Sequence, residues 1–278
     1  MRTSRLRPLT AAGALTALLC GGCSPAPPSP LDPAPPAPSP FVPSGSSRTA
    51  SSPSVSGSTP PSASPSASPS TVCSRVRLCE VEAPVDVDGD GEDDEVGVVT
   101  DMVRHGEGAG VVQVRVRTAT GRTLVSTSRS ASWTGAAWFG AALIDGRDGS
   151  ELVVGQTMGA HSQFFRVLTY RKGRLVTLRA PRYPAEFGSG PDTSAWYTDS
   201  SAMFHDGIRR SVDDGQVVVT LTTLSRDDSG RRHSGWTAGY RWTAAGWELI
   251  STTRAHRKSD RAASRAAGWH VTGLPVQR

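Results

Sequence analysis

DVDGDGEDDEV, Asp86 to Val96, is the stretch whose acid spacing dictates a chemistry. Asp86, Asp88, Asp90 and Asp94 stand at positions 1, 3, 5 and 9 of a D-x-D-x-D-G-x-x-D pattern, with the Glu92 carbonyl at position 7. Hard cations such as Ca²⁺ take six to eight oxygens at about 2.3–2.6 Å, and a tight loop supplies them by folding its carboxylates inward. Glycine permits that fold because it adopts positive φ at little steric cost, and Gly89 and Gly91 are interleaved with the aspartates. An EF-hand begins the same way but needs a bidentate Glu at position 12, where this chain has Gly97, and it needs flanking helices. Val85, Val87, Val96, Val98 and Val99 are β-branched and favour strand instead. The plainer alternative is an acidic, solvated turn. Against it stand seven acids within ten residues, which repel one another unless a cation sits among them.

A calcium loop running directly into a strand resembles the FG-GAP and VCBS-type repeats of extracellular β-propellers, over Asp86 to Thr100. A second, degenerate copy begins about 56 residues later in ALIDGRDGSELVV, Ala142 to Val154. Its Asp145, Asp148 and Glu151 do not keep the 1, 3, 5, 9 spacing, so the expectation there is a structural turn. Asp213-Asp214-Gly215 before Gln216–Leu224 is a weaker, third echo. Repeats of this length fit a four-stranded blade. A seven-bladed propeller would need roughly twice the chain present, which leaves a small or partial propeller and a β-sandwich both open.

Outward from the loop, hairpin signals recur. Val111–Val116 alternates apolar and polar, turns at Thr118–Gly121 and returns as Thr123–Thr127. Phe164–Tyr170, Arg171-Lys172-Gly173 and Arg174–Leu178 repeat the plan, as do Trp236–Trp242, Ala244–Gly246 and Trp247–Thr252. No helical period precedes the tail. The expectation is an all-β domain of repeated hairpins over residues 72–278. Cys73 and Cys79 are an even pair which, in an exported chain, reads as a disulfide pinning the start of that domain. A zinc site there would lack further ligands at the right spacing.

The segment before the domain is of another kind. Arg2, Arg5 and Arg7 precede an apolar run, Leu9–Leu19, that is too short for a membrane-spanning helix and reads as a signal peptide. LLCGGC at its end resembles a bacterial lipobox, which implies lipidation at Cys23, after the small residues Gly21 and Gly22, rather than at Cys20. The usual aliphatic residue three before the cysteine is here Cys20. Plain secretion is the alternative. Residues 24–71 hold 15 of the chain's 21 prolines among serine and alanine. Such a stretch cannot bury enough apolar surface to fold, and it reads as a disordered tether. It would reach about 150 Å as polyproline II, or nearer 40 Å as a coil. Setting aside the four arginines and one aspartate before residue 72 leaves 26 basic and 24 acidic groups, a balance that argues against a nucleic-acid partner.

The remaining polar signals are weaker. GQTMGAHSQFF, Gly155 to Phe165, follows the degenerate loop, and the whole is similar to secreted lipoproteins of high-GC Gram-positive bacteria that carry these repeats. His161 and Ser162 pair a base with a hydroxyl, but neighbours in an extended segment point to opposite faces, and no G-x-S-x-G elbow supports a nucleophile. His105, His205, His233, His256 and His270 form no H-x-H or H-E-x-x-H set, so their spacing gives a catalytic zinc no support. The seven tryptophans fit core or cross-strand roles better than sugar stacking. The basic tail from Arg254 suits an anionic polymer or lipid headgroups, with Gly268–Val271 as a closing strand in the alternative. The resulting expectation is a lipid-anchored module on the outer face of the cell membrane, with a Ca²⁺-stabilised all-β domain. Its partner would be a cell-wall polymer or an extracellular protein. The competing class is an envelope hydrolase with a site assembled from His161, Asp145 and Asp148.

Overall fold

The computed structural model describes residues 70–101, 109–184, 195–230 and 232–275. Cys20, Cys23, His105 and the tether up to residue 69 lie outside the described residues.

The strands follow one another as meanders. β1 (Cys79–Val85), β2 (Asp94–Asp101), β3 (Ala109–Arg117) and β4 (Thr123–Ala131) pair antiparallel in sequence order. So do β5 (Trp138–Ala142), β6 (Glu151–Met158), β7 (Ser162–Arg171) and β8 (Arg174–Leu178). β9 (Trp196–Ser200) pairs the first half of β7 on one side and β10 (Phe204–Asp213) on the other. From β10 the third meander runs through β11 (Gln216–Arg226), β12 (His233–Thr243) and β13 (Gly246–Arg257). A short helix, α1 (Asp260–Ser264), then leads into β14 (Gly268–His270), which lies parallel to β10. The domain is therefore all-β, made of three antiparallel four-stranded units. There is no closed barrel among the described residues, and the arrangement is compatible with both a partial propeller and a sandwich-like packing.

The alternation read from the sequence has a physical outcome in β3. Val112, Val114 and Val116 are buried, while Val111, Gln113, Arg115 and Arg117 between them are only half-buried, as a pleat with one core face requires. β6 is different: its first five residues, Glu151 to Gly155, are all buried, so both faces are covered. The three expected hairpins form with their turns in place. Lys172-Gly173 and Asp214-Gly215 both take positive φ, the two-residue turn that matches strand twist.

One contiguous core draws on all three units, from Val96 and Val114 through Leu152 and Phe165 to Ile208 and Leu221. Aromatic rings tie it together at the end of the chain. Trp269 of β14 lies 5.5 Å from Phe165 and 5.5 Å from Trp196, ring centre to ring centre. Trp242 and Trp247 meet edge-on across their hairpin at 4.9 Å, which is the structural role expected of them. The basic tail is divided among elements, and Gly268–His270 forms the closing strand.

Cys73 and Cys79 stand at disulfide distance, with S–S 2.03 Å. The bridge packs on β2 at Gly97, where an added Cβ would lie 2.8 Å from the Cys73 Sγ. That close approach accounts for a glycine at the position where an EF-hand would carry its glutamate.

Candidate metal centre

The acidic loop connects the first two strands of the first unit. Asp86 shapes it: its Oδ1 accepts the Gly89 amide at 2.7 Å and its Oδ2 the Gly91 amide at 3.1 Å. Gly89 has φ +81°, and an added Cβ there would lie 2.8 Å from Cβ of Asp148, so both conformation and space call for glycine. Asp94 is buried at the start of β2 and ties the loop closed. Its Oδ2 accepts the Val87 amide at 2.9 Å and its Oδ1 the Ala119 amide from the β3–β4 turn at 2.9 Å.

These contacts bring Asp86, Asp88 and Asp94 together, with one carboxylate oxygen of each lying within 4.8 Å of the others. Asp88 Oδ1 is buried and has no hydrogen-bond partner. Burial holds the Asp88 carboxyl above the ordinary carboxylate range, followed by the charges of Asp94 and Asp90, while a backbone hydrogen bond from Asp90 opposes them. Among the described residues no Lys, Arg or His nitrogen pairs with these three carboxylates within 4.0 Å, although Arg147 and Arg210 line the same cleft as Asp86. Asp90 is exposed, its Oδ1 engaged by the Glu92 amide at 2.9 Å, and it is not one of the converging trio; the Glu92 side chain is exposed as well. The donor set is therefore all oxygen, with lone pairs left over, and it suits a hard cation.

The second loop, between β5 and β6, repeats one of these hydrogen bonds. Glu151 Oε2 accepts the Ile144 amide at 2.7 Å, seven residues back, as Asp94 accepts Val87. This pairing sets the offset at 57 residues and puts Asp145, Asp148 and Glu151 at positions 3, 6 and 9, so the second loop does not keep the 1, 3, 5, 9 set. Leu143 and Arg147 replace the acids of positions 1 and 5.

Something else fills that loop. The Arg171 guanidinium pairs with Asp145 Oδ2 and lies 3.9 Å from Glu151 Oε1. Both acids are buried, and Glu151 also accepts the Thr169 hydroxyl at 2.8 Å. Burial first, and then the Asp145 charge, push the Glu151 carboxyl up to about 7. Arg171 thus bridges the counterparts of Asp88 and Asp94.

The two loops touch, since the Ser150 amide donates to the Asp86 carbonyl at 2.8 Å. The β10–β11 turn joins them through Val217, 2.8 Å from where a Gly146 Cβ would stand. Asp213-Asp214-Gly215 thus occupies the same place in the third unit, as a two-residue turn too short to wrap an ion.

His161 is elsewhere. β6 separates it from Asp145 and Asp148, and eight residues of strand put the two ends roughly 23 Å apart. The three residues of the hydrolase reading are not brought together. His161 instead lines a cleft of about 1160 Å³ between the β6–β7 turn, β9, α1 and β14, with Asp199, Arg261, Arg265 and His270 on its walls. Ser162 is not among the lining residues. No protein-family model, no curated protein and no solved structure matches the chain.

Proposed function

We propose that this protein is a cell-surface lipoprotein, anchored through Cys23 and held off the membrane by its Pro/Ser tether, whose β-repeat domain is stabilised by Ca²⁺ at Asp86, Asp88 and Asp94. Asp90 and the Glu92 carbonyl complete the ligand set. The domain serves as a binding or structural module of the envelope, with a cell-wall polymer or an extracellular protein as its partner class. One observation carries the reading. Two loops share a backbone hydrogen bond, and the second sets a guanidinium between its carboxylates whereas no ion pair among the described residues engages those of the first. Ca²⁺ is the cation that an all-oxygen loop in an extracellular setting would take.

The test is calorimetric titration of Ca²⁺ into the chelator-treated full chain, beside the Asp88→Asn variant. The reading requires a single site of about 10⁻⁴–10⁻³ M, lost in the variant. A folded wild type that takes up no Ca²⁺ at about 10 mM sinks it. Detergent partitioning of the chain made in a bacterial host, with and without Cys23→Ala, tests the anchor separately.

A further inference from the structure

The histidines that form no motif in sequence meet in space. His205 on β10 stands in register with Leu224 of β11, and His233 on β12 with Arg226, two residues further along the same strand. A step of two keeps both rings on one face of the sheet. α1 is laid across that face by a small core of its own, with Ala263 packed on Leu224 and Ala255. Ser259 caps the helix by accepting the Ala262 amide, and this sets Asp260 at its first turn beside His233. His233 Nε2 and Asp260 Oδ1 are 2.6 Å apart, and the two imidazole rings 4.9 Å, centre to centre. One ligand atom from each of His205, His233 and Asp260 lies within 4.8 Å of the others.

Burial makes this more than a cluster. His205 is 3% exposed and His233 1%, yet both ring nitrogens of His205 and Nδ1 of His233 have no hydrogen-bond partner. Buried polar atoms are nearly always paired, and an imidazole with unpaired nitrogens facing a second imidazole and a carboxylate has a lone pair available to an ion held among them. We propose that His205, His233 and Asp260 form a binding site for a divalent transition ion of the zinc class, separate from the Asp86 loop. Two imidazoles and a carboxylate suit Zn²⁺, whereas Ca²⁺ prefers oxygen alone. Tetrahedral zinc with bonds of about 2.0–2.1 Å sets its ligand atoms about 3.4 Å apart. The Asp260 side chain, 61% exposed, has the freedom to make that adjustment. Arg226 Nη2 lies 3.9 Å from the other oxygen, Oδ2, and orients the carboxylate with Oδ1 toward the rings.

The ion would staple α1 to β10 and β12. α1 also presents Arg261 and Arg265 to the large cleft, and Ser200, the register partner of His205, lines it too. Metal occupancy therefore sets one wall of the cleft.

Zn²⁺ titrated into the metal-free full chain, with Co²⁺ as a spectroscopic substitute, tests this. One Zn²⁺ bound below about 1 μM is expected, together with tetrahedral Co²⁺ bands that Zn²⁺ abolishes. Binding survives excess Ca²⁺ and the Asp88→Asn substitution, and weakens at least about 100-fold in both His205→Gln and Asp260→Asn. Asp260 is exposed, so Asp260→Asn keeps its fold and carries the test even if His205→Gln does not fold. No uptake of Zn²⁺ below about 100 μM, or uptake unchanged in Asp260→Asn, overturns the proposal.

Discussion

At the scale of single residues, Arg171 and Asp88 are two answers to one electrostatic problem. Arg171→Met leaves Asp145 and Glu151 buried and unopposed, and should cost about 3 kcal/mol in urea denaturation; a second change, Glu151→Gln, should recover part of it. On the proposed Ca²⁺ reading, Asp88→Asn relieves repulsion in the metal-free loop and removes a ligand from the loaded one. In chelator the variant should melt at or above wild type, and about ten times Kd of Ca²⁺ should then raise only the wild type, by about 1.4 kcal/mol. Asp206 supplies the pH dependence. Burial, and after it the charge of Asp199, raise its carboxyl to about 7 against a hydrogen bond from Thr223 that lowers it. A raised carboxyl keeps its proton in the folded state, so its stabilisation is complete below about pH 4 and is lost as pH rises through about 7. Glu151 acts in the same direction. Melting temperature followed from pH 4 to 8 should fall less steeply in Asp206→Asn, the difference amounting to at most about 4 kcal/mol.

At the scale of elements, legibility followed periodicity and turn chemistry. β3–β4, β7–β8 and β12–β13 were readable because alternating residues flank short turns rich in glycine or small residues. β5, reading WFGAA, and β9, reading WYTDS, were not: each is five residues long and neither alternates. Their pairing is decided by neighbours already in place. The disulfide loop is another element whose role depends on its setting, because it closes over Gly97 while Glu95 Oε2 accepts the Val72 amide at 2.6 Å. Replacing Cys73 and Cys79 together by serine should cost about 2 kcal/mol on the loop-entropy estimate. Hydrogen exchange should locate the loss in β1, with β6 unchanged.

For the whole molecule, β14 ties the second unit to the third. β14 docks parallel to β10, and its Trp269, 1% exposed, joins Phe165 and Phe139 of the second unit to Trp196 of β9. Trp269→Ala should cost about 3–5 kcal/mol and lower the unfolding midpoint of the whole domain cooperatively, as read by near-UV circular dichroism.

The all-β character, the hairpins, the cysteine pair and the position of the acidic loop were legible in the order of residues, because each depends on residues a few places apart and on local backbone preference. Strand register and packing decide that Arg171 bridges Asp145 and Glu151, that His161 lies far from Asp145 and Asp148, and that His205, His233 and Asp260 meet. The two clusters join residues 20 to 55 positions apart through strand register and the packing of α1. Side chains so distant carry no shared spacing, and only the sheet that pairs their strands brings their charges and lone pairs into one place.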